Sequence, residues 1–129
     1  MSKALRRAAT LAACVAAVAL LGAPAAPAAK PKPPAPVKVT INDFYFGPNA
    51  VTIKKGGSIN WVWSELNTYP HDVHLQKGPT GLKQKTTYST KTTAVTGARF
   101  HKTFSTPGVY KFICTIHPTE MKLTVTVKN

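Results

Sequence analysis

Eight consecutive residues near the C-terminal end, Cys114-Thr115-Ile116-His117-Pro118-Thr119-Glu120-Met121, bring together a thiol, an imidazole and a thioether. Soft and borderline donors of this kind favour copper over magnesium, calcium or manganese. A second imidazole upstream, in Tyr69-Pro70-His71-Asp72-Val73-His74, would complete a donor set. His71, Cys114 and His117 in one plane, with Met121 as a weak axial donor, would serve both Cu(I) and Cu(II), as electron-transfer centres do. Other chemistries use the same residue types. Structural zinc takes four Cys or His ligands, and a thioether is a poor donor to it. A nucleophilic Cys–His pair needs an orienting third group and an oxyanion hole, and no motif signals either. The plainest alternative makes Cys114 a small buried residue and Met121 a core filler.

Strands must position these donors, because apolar residues alternate almost everywhere. The alternating sets are Val37, Val39 and Ile41; Val51 and Ile53; Ile59, Trp61 and Trp63; Val73 and Leu75; Tyr110 and Phe112; and Leu123, Val125 and Val127. Turn residues bound each run: Gly47-Pro48, Gly56-Gly57, Gly78-Pro79 and Pro107-Gly108. No window after the first residues has a helical period, so the pattern predicts an all-β sandwich or barrel. Parity then sorts the donors. His71 is in step with Val73 and Leu75, Cys114 with Tyr110 and Phe112, and Met121 with Leu123, Val125 and Val127, so all three should face inward at strand ends. His74 and Asp72 have the opposite parity, and His101 should be solvated. His117 falls in the last loop, where parity says nothing. Residues 76–98, rich in Thr, Lys and Gly, read as a solvated covering loop with room for one irregular strand.

The N-terminal residues belong to another category. Lys3, Arg6 and Arg7 precede an Ala, Leu and Val run from Ala8 to Ala23, and Ala26-Pro27-Ala28 offers a small-residue cleavage site. This reads as a bacterial secretory leader spanning 1–28, its apolar run being short for a membrane span. Residues 29–36, Ala-Lys-Pro-Lys-Pro-Pro-Ala-Pro, read as an extended tether, and 37–129 as one domain. Removing 28 residues from 129 leaves 101, of which Cys114 is the one cysteine and Met121 the one methionine. A lone thiol in an oxidising compartment cannot form an internal disulfide, and a bound metal would protect it. Fourteen basic residues then face four acidic ones. That balance points to an anionic cell envelope, or to an acidic redox partner oriented by residues such as Lys77, Lys83, Lys85 and Lys102. No nucleic-acid motif is present.

The segment from Phe104 to Pro118 resembles the C-terminal half of a type 1 copper site in the cupredoxin family. Pro70-His71-Asp72-Val73-His74 resembles the upstream ligand segment, with amicyanin and plastocyanin-like proteins the nearest in pattern, and Asp43-Phe44 through Trp63 resembles their N-terminal strands. The resemblance implies a Greek-key β-sandwich with copper at one end, acting as a soluble single-electron carrier; the leader makes it an exported (periplasmic or extracellular) protein, and a monomer is expected. It implies His71, Cys114, His117 and Met121 as ligands and His74 as none, with Pro70 and Pro118 packed near the site. Two features depart from the family pattern. Asp72 stands where the family often has Asn, so its carboxylate needs a donor such as Thr115 to tie the two ligand loops. Three residues separate His117 from Met121 where the resembled loops more often have two or four, and Lys122-Leu123 lacks a glycine common there, which leaves Glu120 or a backbone carbonyl as the alternative axial donor. A copper-binding or delivery protein of the envelope is the competing function, although such proteins tend to display several exposed Met or His. Enzymes with this fold need further copper sites, and the chain has no spare His cluster, so catalysis is not expected.

Overall fold

A computed structural model describes residues 27–129, so the expected leader lies, but for its last two residues, outside the described residues. Eight strands follow one another: β1 Val37–Asn42, β2 Tyr45–Gly47, β3 Ala50–Lys54, β4 Ser58–Trp63, β5 His74–Lys77, β6 Arg99–Thr103, β7 Gly108–Ile113 and β8 Lys122–Lys128. They form two four-stranded sheets, in the orders β2-β1-β4-β6 and β3-β8-β7-β5. Both sheets are mixed. β1 runs parallel to β4 and β3 parallel to β8, while the remaining pairs are antiparallel.

The alternation in sequence is the alternation in space. In β8 the pattern of Leu123, Val125 and Val127 inward and Lys122, Thr124, Thr126 and Lys128 outward is complete. Both inner faces contribute to one core, with Val39, Ile41, Ile59, Trp61 and Trp63 from the first sheet and Tyr110, Phe112, Leu123, Val125 and Val127 from the second. This core lies wholly within residues 37–129. Trp61 anchors it, stacked on Phe100 (5.1 Å between centroids) and edge-on to Phe112 (5.4 Å). Rings of this size bury 150–250 Å² each, and they dominate the energetics of so small a core.

Two strands exceed the set read from alternation. β2 and β6 each bring one large ring inward, Phe46 and Phe100, and a single apolar residue cannot show a period. Segment 76–98 is more than a covering loop. It carries a 3-10 turn at Lys85–Tyr88, buries Leu82 and Tyr88, and forms a one-residue bridge, Thr93 to His71.

Tyr110 shows what burial does to a titratable ring. It is fully buried, its hydroxyl donates to the Thr106 carbonyl at 2.7 Å, and burial, with Tyr88 beside it, pushes its pKa up to about 12. The unfolded phenol releases its proton near 10, so the difference is stabilising below that pH and is lost as pH rises towards 12. Urea titrations should therefore show stability falling by about 2–3 kcal/mol over that interval from this residue. Tyr110→Phe should remove that part of the slope.

Candidate metal centre

Four strand connections meet at one end of the sandwich. They are the β1–β2 turn at Asp43-Phe44, the β4–β5 segment from Ser64 to Val73, residues 89–93, and the β7–β8 loop from Cys114 to Met121. Within this end one atom each of His71, Cys114 and His117 lies within 4.8 Å of the other two. His71 and Cys114 are fully buried, and His117 is partly exposed.

Each residue is held from outside the cluster. His71 is fixed through its backbone by mutual bonds with Thr93, both 2.9 Å, and its carbonyl accepts from Trp63 Nε1 at 3.3 Å. Its ring is fixed by Asp43, whose Oδ1 lies 2.8 Å from Nε2. That contact makes Nε2 the protonated nitrogen and leaves Nδ1 facing the Cys114 sulfur at 3.8 Å. Asp43 is itself well prepared to accept. The hydrogen bond from His71 holds its carboxyl well below the usual carboxylate range, and bonds from Thr68 Oγ1 and the Thr68 and Tyr69 backbone N–H groups add to the effect against the opposing influence of burial.

The β7–β8 ladder decides where Cys114 and Met121 go. Tyr110 pairs with Val125, Phe112 with Leu123 and Ile113 with Lys122. The next rung is Cys114 opposite Met121, closed by the bond from Cys114 N–H to the Met121 carbonyl at 3.2 Å. Cross-strand partners place their side chains on the same face, so both point inward, and both are fully buried. Ladder closure therefore brings Met121 beside Cys114 whatever the number of residues between His117 and Met121. Met121 N–H also bonds to the His117 carbonyl at 2.9 Å, which braces the loop from within. Glu120 is exposed and outside the cluster.

Asp72 joins the two ligand segments. It is buried despite its outward parity, because the donors it needs are present: Thr115 N–H at 2.8 Å, the Thr115 hydroxyl, and the Thr92 hydroxyl at 3.0 Å. Its own backbone N–H points at the Cys114 sulfur, 3.4 Å away. Sequence reasoning anticipated Thr115 but missed Thr92, Thr93 and Asp43. No motif marks them, and they reach the site only through pairing with distant segments. His74 is exposed on β5 and His101 on β6, in different sheets, as parity expected.

The donor set fits a soft metal. His117 Nδ1 is buried and has no hydrogen-bond partner, which is costly for an imidazole nitrogen unless something else engages it. His71 Nδ1 and the Cys114 sulfur converge with it, and among the described residues no carboxylate belongs to this group. Outer partners of this kind govern metal affinity as strongly as many ligands do. Asp43→Ala, which frees the His71 ring, should weaken copper binding by about 10- to 100-fold in a competition titration against a chelator.

His117 is bordered by rings. Phe44 sits in the left-handed region (φ 69°), an uncommon conformation for a residue with a side chain, and its ring stands edge-on to His117 at 5.1 Å. Tyr69 stands edge-on at 6.0 Å. Phe44, Tyr69 and Ile116 are each about half exposed, so this end presents an apolar surface around one imidazole edge.

A sequence model of copper binding proteins of the plastocyanin/azurin family matches residues 35–128. Among curated proteins, amicyanin-alpha of Methylorubrum extorquens is 35% identical over 94 residues, covering 67% of this chain and 67% of the relative. Plastocyanin of Prochlorothrix hollandica is 32% identical over 72 residues, covering 56% of this chain and 53% of the relative, so the match spans about half of that protein's length. Among solved structures, a copper-containing nitrite reductase of Thermus scotoductus superposes with a TM-score of 0.61 at 29% identity, over 84% of this chain and 26% of that one.

Proposed function

The chain belongs to the plastocyanin/azurin family of copper-binding proteins, and from that premise we propose that it is an exported carrier of single electrons whose copper is held by His71, Cys114, His117 and Met121. The observation that carries this reading is the convergence of three donor atoms within 4.8 Å, each braced by hydrogen bonds of the protein itself or by loop closure. Copper bound there supplies the one-electron Cu(I)/Cu(II) couple.

The protein's part is to hold the donors still. His71 is clamped between Asp43 and Thr93, Cys114 receives the Asp72 N–H, and Asp72 ties the two ligand segments together. Donors that do not rearrange between redox states keep the cost of each transfer low. The partly exposed edge of His117 is the shortest route from the site to a docked partner. Pro70 and Pro118 are exposed there with Phe44, Tyr69 and Ile116, giving a redox protein an apolar surface to meet.

Of the lysines named from sequence, Lys83 and Lys102 lie away from that surface. Lys102 pairs with Ile59, near the end of β4 remote from Trp63, and Lys83 and Lys102 share a groove with Ser105 and Thr106 of the β6–β7 turn. Ser58 and Trp63 are five residues apart along β4, roughly 16 Å at strand rise, about twice the screening length at physiological salt. Docking at His117 therefore meets an apolar surface and is not steered by those two charges.

Two other readings fit less well. A delivery protein would offer accessible soft donors, whereas Cys114 and Met121 are fully buried. Catalysis of the nitrite-reductase kind would need another metal site, and among the described residues His71, Cys114 and His117 are the one such group. The match to that reductase covers 26% of its chain.

The test is the visible and EPR spectrum of the protein loaded with Cu(II). A strong thiolate-to-copper band with narrow copper hyperfine splitting is expected. A weak, ordinary cupric spectrum, or oxidation of Cys114 on adding copper, would overturn the proposal.

A further inference from the structure

Charge in this molecule is sorted by end. All four acidic residues of the chain, Asp43, Glu65, Asp72 and Glu120, lie in the connections at the metal end. Lys91, Arg99 and Lys122 accompany them, which leaves that end close to neutral. The opposite end carries lysines and no acidic side chain. Lys54 and Lys55 form the β3–β4 turn, and Lys55 N–H bonds to the Lys128 carbonyl at 2.7 Å. Lys83 and Lys102 line a groove of about 360 Å³ with Gln84, Thr87, Ser105 and Thr106, beside Leu82 and Tyr88. Lys32 lies with Pro33, Pro34, Ala35 and Pro36 in a second cleft, against Gly56, Ser58 and Thr103.

Neither the metal site nor its apolar rim uses this basic face. We infer that it is the surface by which the exported protein lies on a bilayer containing anionic lipid, with the metal end turned outward to its redox partner. Two observations choose this occupant. The segment from Lys32 to Pro36, which leads into β1, runs across the same face. The face also mixes exposed lysines with an apolar Pro-Ala strip, a composition suited to a headgroup layer. An acidic protein docked there would sit at the end remote from His117, a poor place to exchange an electron. The inference goes beyond the redox reading and shares with it only the expectation of export.

The test is sedimentation of the copper-loaded protein, residues 29–129, with phosphatidylcholine vesicles that contain or lack phosphatidylglycerol. Binding should require the anionic lipid and vanish at about 1 M salt, where the screening length falls to about 3 Å. A lysine close to such a surface contributes roughly fivefold, or about 1 kcal/mol. Lys54→Gln with Lys55→Gln should weaken binding by roughly thirtyfold, and Lys91→Gln with Lys122→Gln by less than about twofold. Hydrogen exchange on the vesicle should be slowed in 54–57 and 103–106 and unchanged in 66–70 and 115–119. Equal loss from both variant pairs, protection of 115–119, equal binding to neutral vesicles, or retention only by an acidic protein would each overturn the inference. None of these readouts uses the copper spectrum, so the two proposals fail separately.

Discussion

Cys114→Ala removes the strong visible absorption and the narrow hyperfine pattern of the copper-loaded protein completely, whereas His74→Ala leaves both nearly intact. The asymmetry follows from position. Cys114 is the thiol of the buried cluster, and its sulfur faces His71 Nδ1 and the Asp72 N–H, so no neighbouring group can replace it. His74 differs from His71 by three residues but faces solvent from β5. If Cys114 were only a core filler, its replacement by alanine would cost about 1 kcal/mol of packing and change nothing in the response to copper. Absorption spectra of both variants under one copper titration decide between these cases. Persistence of the band in Cys114→Ala, or its loss in His74→Ala, would remove the proposed ligand set.

The distance between those two histidines also shows what a sequence can reveal. A period of two is a direct image of a strand with one wet face, so Val39, Trp61, Phe112 and Val125 announce both their strands and their direction. His71, Cys114 and Met121 inherit that direction because they lie within one or two residues of such runs. Asp72 breaks the rule: parity sends it outward, yet the hydroxyls and N–H of Thr92 and Thr115 cover it. Asp43 and Thr93 were illegible for a related reason. They meet His71 across separations of 28 and 22 residues, through a turn and a one-residue bridge that leave no periodic trace. The doubtful spacing between His117 and Met121 had the opposite fate. Counting residues along the loop made Met121 uncertain, but counting rungs across β7 and β8 places it opposite Cys114. The gathering of all four acidic side chains at the metal end was hidden as well, since net charge carries no address until the turns are placed.

Asp72→Ala should cost about 3 kcal/mol or more, the second large effect expected. The buried carboxylate accepts from Thr115 N–H, the Thr115 hydroxyl and the Thr92 hydroxyl, and bonds to a charged acceptor contribute about 1.5–3 kcal/mol each before non-additivity. Alanine also strands the Thr115 N–H beside the site. For a domain of about 100 residues this lowers Tm by roughly 12–24 °C. Asp72→Asn tests a different part of the same contact. Its amide oxygen can still accept from Thr115 N–H, and its NH2 can donate to the two hydroxyls, so stability should change by no more than about 1 kcal/mol. The negative charge of the side chain that ties the two ligand segments is gone, however, and a carboxylate near the site favours Cu(II). The reduction potential should rise by some tens of millivolts, on the order expected for one charge at several ångströms in a partly buried site. A potential unchanged in Asp72→Asn together with a low Tm in Asp72→Ala would make Asp72 a loop tie alone. A raised potential in the asparagine variant would show that the same side chain both closes the site and sets its redox level, two roles that the family's usual asparagine would separate.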